Sequence, residues 1–112
     1  MTSARLSCLS ATLILTGASW AAAADRVEDG HQKAVQCVAC HGLDGVTPNP
    51  TFPHLAGQNA AYLAIQLEWF RTGERYHPLM TPVAQALSDQ DIEDLAAYYS
   101  ALRPWTEARS EQ

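Results

Sequence analysis

Cys37-Val38-Ala39-Cys40-His41 is the stretch on which the reading of this 112-residue chain turns. Two thiols separated by two residues, followed at once by an imidazole, have four chemical uses. A disulfide would suit an oxidising compartment. A redox-active pair of the thioredoxin type belongs near a βαβ pattern, and the sequence has no strand-like alternating runs. Half of a zinc site needs two further ligands; His31, His54 and His77 are available, but nothing groups them in pairs. The fourth use, covalent haem attachment, accounts for all three side chains. Two intervening residues let both sulfurs reach the two vinyl groups on one porphyrin edge, while His41 turns its imidazole toward the iron. The pentapeptide is therefore read as the site of one haem, held through Cys37 and Cys40 with His41 as an axial ligand.

The N-terminal segment places the motif in a compartment. Arg5 precedes an apolar run from Leu6 to Ala18, and Ala22, Ala23 and Ala24 supply the small-residue pattern of a signal-peptidase site. The run is too short to span a bilayer. Residues 1–24 are expected to be a cleaved secretory signal and 25–112 one domain, exported to a bacterial periplasm with no stable membrane span after cleavage; a retained N-terminal anchor is the alternative. Cys8 would leave with the signal, so Cys37 and Cys40 are the only thiols of the mature chain. Cleavage leaves 88 of the 112 residues, a size at which an apolar core alone gives a thin margin. Loss of Arg5 moves the formal charge from −5 to −6. There is no basic patch for nucleic acid, and an acidic surface would favour positively charged partners. The acidic run Asp89 to Asp94 reads as a water-facing stretch.

Helices dominate the remaining pattern. Val27, Ala34, Val35 and Val38 recur at near-helical spacing over about Arg26 to Val38, with Gly30 leaving a flat spot open to close approach. From Gly42 to Gln58 the density of Gly and Pro permits only a loop. A second helix is expected from an Asn59 N-cap to Thr72, ended by Gly73, with Leu63, Leu67 and Phe70 inward. A short turn around Val83 to Leu87 follows. The last helix starts at Ser88 with Asp91 in a capping-box relation, carries Ile92, Leu95, Ala96, Tyr98, Tyr99 and Leu102 as its apolar stripe, and closes at Pro104. Four short helices with long loops leave a centre that a large prosthetic group would fill.

The second axial position decides between electron transfer and chemistry at the iron. Met80 is the sole methionine of the mature chain and lies in Leu79-Met80-Thr81-Pro82, read as an irregular loop that can present a side chain across a haem face. A methionine is otherwise core filler. His77, three residues earlier, is the rival ligand; His31 and His54 read as surface residues. A thioether opposite an imidazole closes the iron to small ligands and is associated with a raised potential.

The strings CVACHGLDG, FPHLAGQNAAYLAIQLEWFRTGER and LMTPVAQALSDQDIEDLAAYYSAL, in this order and spacing, resemble class I c-type cytochromes, and within them the single-haem domains of small bacterial periplasmic cytochromes c. The resemblance covers nearly all of residues 25–112. It implies an all-α class I cytochrome c fold around one covalent haem c and one-electron transfer rather than enzymatic catalysis. It implies that Pro53 offers its carbonyl to the other nitrogen of His41, that Leu55 packs on the His41 face of the ring, and that Arg75 neutralises a haem propionate. It also implies that Gly30 packs against Leu95 and Tyr98 where the first and last helices cross. Gln58 and Tyr62 are further candidates for haem contacts. The implied partners are redox proteins, with a membrane quinol-oxidising complex or a dehydrogenase as donor and an oxidase or reductase as acceptor. The alternatives are an electron-transfer subunit bound to one periplasmic dehydrogenase, for which Trp69, Tyr76 and Trp105 offer apolar surface, and a haem enzyme or gas sensor with a labile sixth ligand.

Overall fold

The computed structural model describes residues 18–104, so the first part of the expected signal and Trp105 lie outside the described residues. Helix α1 spans Ala18–Lys33 and passes through a 3-10 turn, Ala34–Cys37, into the single turn α2, Val38–His41. After the long loop come α3 (Ala60–Thr72), α4 (Met80–Gln85) and α5 (Asp89–Ala101). The described residues contain helices and connecting loops and no strand. None of the helices is long and apolar enough to cross a membrane.

Local chemistry explains most of the boundaries. The Asn59 side chain accepts the Tyr62 amide at 3.1 Å, and Gly73, at φ 86°, takes the left-handed conformation that ends α3. At α5 the Ser88 hydroxyl accepts from the Asp91 amide while the Asp91 carboxylate accepts from the Ser88 amide, a complete capping box. Two starts differ from the sequence expectation. Helix α1 is already formed at Ala18, the first described residue, rather than starting near Arg26, because Ala22 to Ala24, read as peptidase context, are also the strongest helix formers. Helix α4 begins at Met80 rather than Val83: Pro82 is its third residue, where a missing N–H breaks no intrahelical bond. Met80 is thus the first residue of a helix, not part of an irregular loop.

The centre of the fold is the crossing of α1 and α5. Ala34, Leu63, Leu87, Ile92, Leu95, Ala96, Tyr98 and Tyr99 form one buried cluster, joined at its edge by Val27, Cys37, Leu55 and Leu67. Gly30 permits the crossing, since a Cβ there would lie 2.0 Å from the Asp94 carbonyl oxygen and 2.6 Å from Tyr98 Cβ. The close neighbours are Asp94 and Tyr98, with Leu95 not among the nearest atoms. Asp94 also corrects the reading of Asp89 to Asp94 as solvated, for it is fully buried. Its carboxylate accepts from Lys33 Nζ at 2.6 Å and from Gln90 Nε2 at 2.7 Å, and Lys33 reaches Asp91 at 3.0 Å. A buried carboxylate needs such partners, and they tie the end of α1 to α5 directly before the cysteines.

Candidate haem site

The 3-10 turn and α2 put Cys37, Cys40 and His41 on little more than one turn of chain beside α5. Both cysteines are free thiols and half-buried. His41 is buried, and its Nδ1 lies 2.9 Å from the Pro53 carbonyl oxygen. A carbonyl only accepts, so Nδ1 carries the proton and the neutral ring keeps its lone pair on Nε2. That tautomer leaves one nitrogen for a metal and fixes the ring by the other. Phe52 stands tilted to the imidazole, with centroids 6.3 Å apart.

The loop from residue 42 to residue 59 is positioned by backbone bonds. The Gly45 carbonyl accepts from both Leu55 (2.8 Å) and Ala56 (3.1 Å), and the Gly57 amide donates to the Tyr99 carbonyl at 2.9 Å. Pro53 is therefore held from α5 as well as from its own loop. Leu55 is half-buried and packs against the core cluster. His54 accepts from the Thr47 amide at its Nδ1, a loop-internal contact.

Around Met80 the structure separates the two ligand candidates. His77 Nδ1 accepts from the amides of Leu79 (3.2 Å) and Met80 (3.3 Å), and the His77 amide donates to Thr81 Oγ1 at 2.9 Å. An accepting Nδ1 places the proton of the neutral ring on Nε2, which leaves His77 without a free ligand nitrogen. His77 acts as a cap at the start of α4, a role the sequence reading missed; a histidine three residues before a helix start was its only signal. Met80, first in that helix, is half-buried. Arg75 is exposed, donates to Gln66 and stacks over Phe70 with its guanidinium carbon 4.5 Å from the ring centroid. Gln58 caps the Asn59 amide, Tyr62 is about half exposed, and His31 stacks on Tyr98 with centroids 5.2 Å apart.

In sequence Tyr99 reads only as part of an apolar stripe. It is buried, its ring stands edge-on to Tyr98 at 5.0 Å, and its hydroxyl has no hydrogen-bond partner. Its polar neighbour is Cys37, close enough for the two groups to perturb each other's ionisation, though without the geometry of a hydrogen bond. Burial pushes the Cys37 thiol up, the phenol partly offsets this, and Cys40 adds to the rise. Burial likewise pushes the Tyr99 phenol well above its ordinary value, with Cys37 contributing. Both groups are thus neutral at physiological pH.

A family model described as cytochrome c oxidase, cbb3-type, subunit III, matches residues 22–98. The chain belongs to the c-type cytochrome family. It is 51% identical over 75 residues to cytochrome c-554(548) of Halomonas halodenitrificans, covering 64% of this chain and 90% of that protein. It is 42% identical over 88 residues to the thiosulfate dehydrogenase electron acceptor of Thiomonas intermedia, covering 78% of this chain and 37% of that protein. Among solved structures, reduced recombinant cytochrome c4 from Pseudomonas stutzeri superposes with a TM-score of 0.66 at 43% identity, over 69% of this chain and 45% of that one. The chain spans about half the length of the cytochromes c4 it matches.

This cytochrome has the class I fold and is an electron-transfer protein rather than an enzyme. Its cofactor is covalently bound haem c, for which Cys37, Cys40 and His41 form the attachment motif. The structure fits the group: two unbridged thiols, a buried imidazole with its Nδ1 committed, and an orphaned phenol beside one thiol. Among the described residues no three His, Cys, Asp or Glu side chains converge as a cage for a metal ion.

Proposed function

We propose that this cytochrome is a periplasmic one-electron carrier with its iron closed by His41 on one side and Met80 on the other, exported by a signal cleaved after Ala24. The observation that carries the proposal is the His41 ring, buried and held through Nδ1 by Pro53. Bound haem supplies the one-electron iron couple; the chain supplies everything that makes the exchange fast and safe. Cys37 and Cys40 keep the cofactor from being lost outside the cytoplasm. The Pro53 carbonyl stops His41 from turning and makes it a better donor. Met80 would contribute a soft thioether, which would favour the reduced metal and block small ligands. His77 and Thr81 fix the turn from which Met80 projects. Leu55 would shield the His41 side of a bound haem, and Arg75, which stacks on Phe70, would offer positive charge to a propionate.

The test compares ferric spectra of the wild type and Met80→Ala. The wild type should show the weak far-red charge-transfer band of sulfur ligation and the variant should lack it. A wild type without the band, or one that binds carbon monoxide rapidly when reduced at neutral pH, overturns the closed iron.

The donor is read as a quinol-oxidising complex or a dehydrogenase, and the acceptor as an oxidase or reductase. The narrower reading, a subunit held by one dehydrogenase, is favoured by relatives named as thiosulfate dehydrogenase electron acceptors and by the exposed Trp69 and Tyr76. Co-purification of a dehydrogenase with the native protein, stable to gel filtration, would decide for it. A diffusing carrier elutes alone, as suits small redox interfaces.

A further inference from the structure

The Tyr99 hydroxyl is a donor without an acceptor at a place where such a defect is costly. The residue is 3% exposed, and a buried hydroxyl left unsatisfied gives up its hydration with nothing in return. Phenylalanine would fill the same volume without that cost. The ring has little freedom to look elsewhere: Tyr98 stands against it, and Gly45 approaches so closely that a Cβ there would lie 3.1 Å from Tyr99 Cδ1. The Tyr99 carbonyl is tied to the Gly57 amide. Cys37 packs against the buried cluster that holds Tyr99, and its thiol is the polar group within reach of the phenol.

We propose that Tyr99 is a redox-tuning residue, its hydroxyl donating a hydrogen bond to the thioether sulfur formed by Cys37. The proposal rests on haem attachment at Cys37. A thioether sulfur is a weak acceptor, and in a dry pocket even a weak bond is strengthened by the low local dielectric. The hydroxyl hydrogen is the positive end of the dipole and points toward the cofactor, so it disfavours the additional positive charge of the ferric state. Tyr99 therefore raises the midpoint potential. Tyr98 provides an internal control, because its hydroxyl donates to the Leu43 carbonyl at 3.4 Å instead.

Holoprotein carrying Tyr99→Phe should keep its helical circular dichroism and the pyridine haemochrome spectrum of a doubly attached haem. Its ferrous-to-ferric ratio at fixed potential should fall by up to about tenfold, which for one electron is about 59 mV. Tyr98→Phe should leave the potential unchanged. In the wild type, exchange into D2O should shift a resonance Raman band with carbon–sulfur stretching character, and the shift should vanish in Tyr99→Phe. An unchanged potential in Tyr99→Phe overturns the proposal. So does an isotope-insensitive wild-type spectrum, a measurement that stands even where the variant fails to mature. A wild type whose pyridine haemochrome shows a single thioether would instead refute attachment at both cysteines.

Discussion

Replacing Gly30 with alanine puts one methyl group into the α1–α5 crossing, and the structure gives the scale of the collision. The new Cβ would meet the Asp94 carbonyl oxygen at 2.0 Å and Tyr98 Cβ at 2.6 Å. Both are atoms that no side-chain rotation moves, so the helices must separate by more than an ångström. Overpacking of this kind costs about 3 kcal/mol at the upper end of its usual range, and alanine returns about 1 kcal/mol of helix propensity. The remaining loss of about 2 kcal/mol lowers the melting temperature of a domain this size by roughly 8–16 °C. Thermal unfolding of the oxidised holoprotein, followed by far-ultraviolet circular dichroism, measures it. Gly73→Ala separates steric from backbone effects: nothing lies within 4 Å of its Cβ position, but φ is 86°, so only left-handed strain of about 1 kcal/mol applies. If Gly30→Ala melts with the wild type, or no lower than Gly73→Ala, the reading of Gly30 as the spacer of the crossing is wrong.

Asp91 accepts from the Ser88 amide, from Lys33 and from the Ser88 hydroxyl, which hold its carboxyl down to about 2. A carboxyl depressed on folding contributes stability above its unfolded value, roughly 3.9, and loses it as the pH falls through the folded value. Urea midpoints of the wild type and Asp91→Asn should therefore differ by a constant amount near neutrality, with the difference shrinking from pH 4 toward pH 2. A difference that grows on acidification contradicts this sign. His77→Phe keeps an edge for Phe70 but removes the acceptor that caps α4, so the ferric sulfur band of Met80 should disappear at lower temperature than in the wild type. Loss of the band at the same temperature would show that His77 does not hold the turn.

The haem motif, the α3 limits and the α5 capping box were legible because each is written in residues within a few positions of one another. Asn59 and Gly73 bracket α3 by local hydrogen bonding, and Ser88 with Asp91 does the same for α5. The misses have a different origin. Pro82 reads as a breaker unless one knows it falls in a first turn, and Ala22 to Ala24 serve equally as peptidase context and as helix. Asp94 looks like its acidic neighbours in sequence; only the arrival of Lys33 from α1 makes a buried carboxylate tolerable there. The partnerless Tyr99 hydroxyl was invisible for the same reason, since orphaning is a property of surroundings that converge from distant segments. The residue that fixes His41 is intermediate: a resemblance implied Pro53, and the distance that makes the implication physical comes from how the loop is folded.

The Gly45 carbonyl, shared by the amides of Leu55 and Ala56, closes the intervening chain into a ring whose ends almost touch. A chain segment fastened in this way is modular: its exposed far side, Pro48 to Thr51, is free to differ in length among relatives or to be replaced by an unrelated sequence. Pro53 lies on the return path toward the fastening and does not share that freedom. Loop grafts into this cytochrome therefore have a natural boundary before Phe52, which stands against the imidazole; on its far side the chain can change without the imidazole noticing.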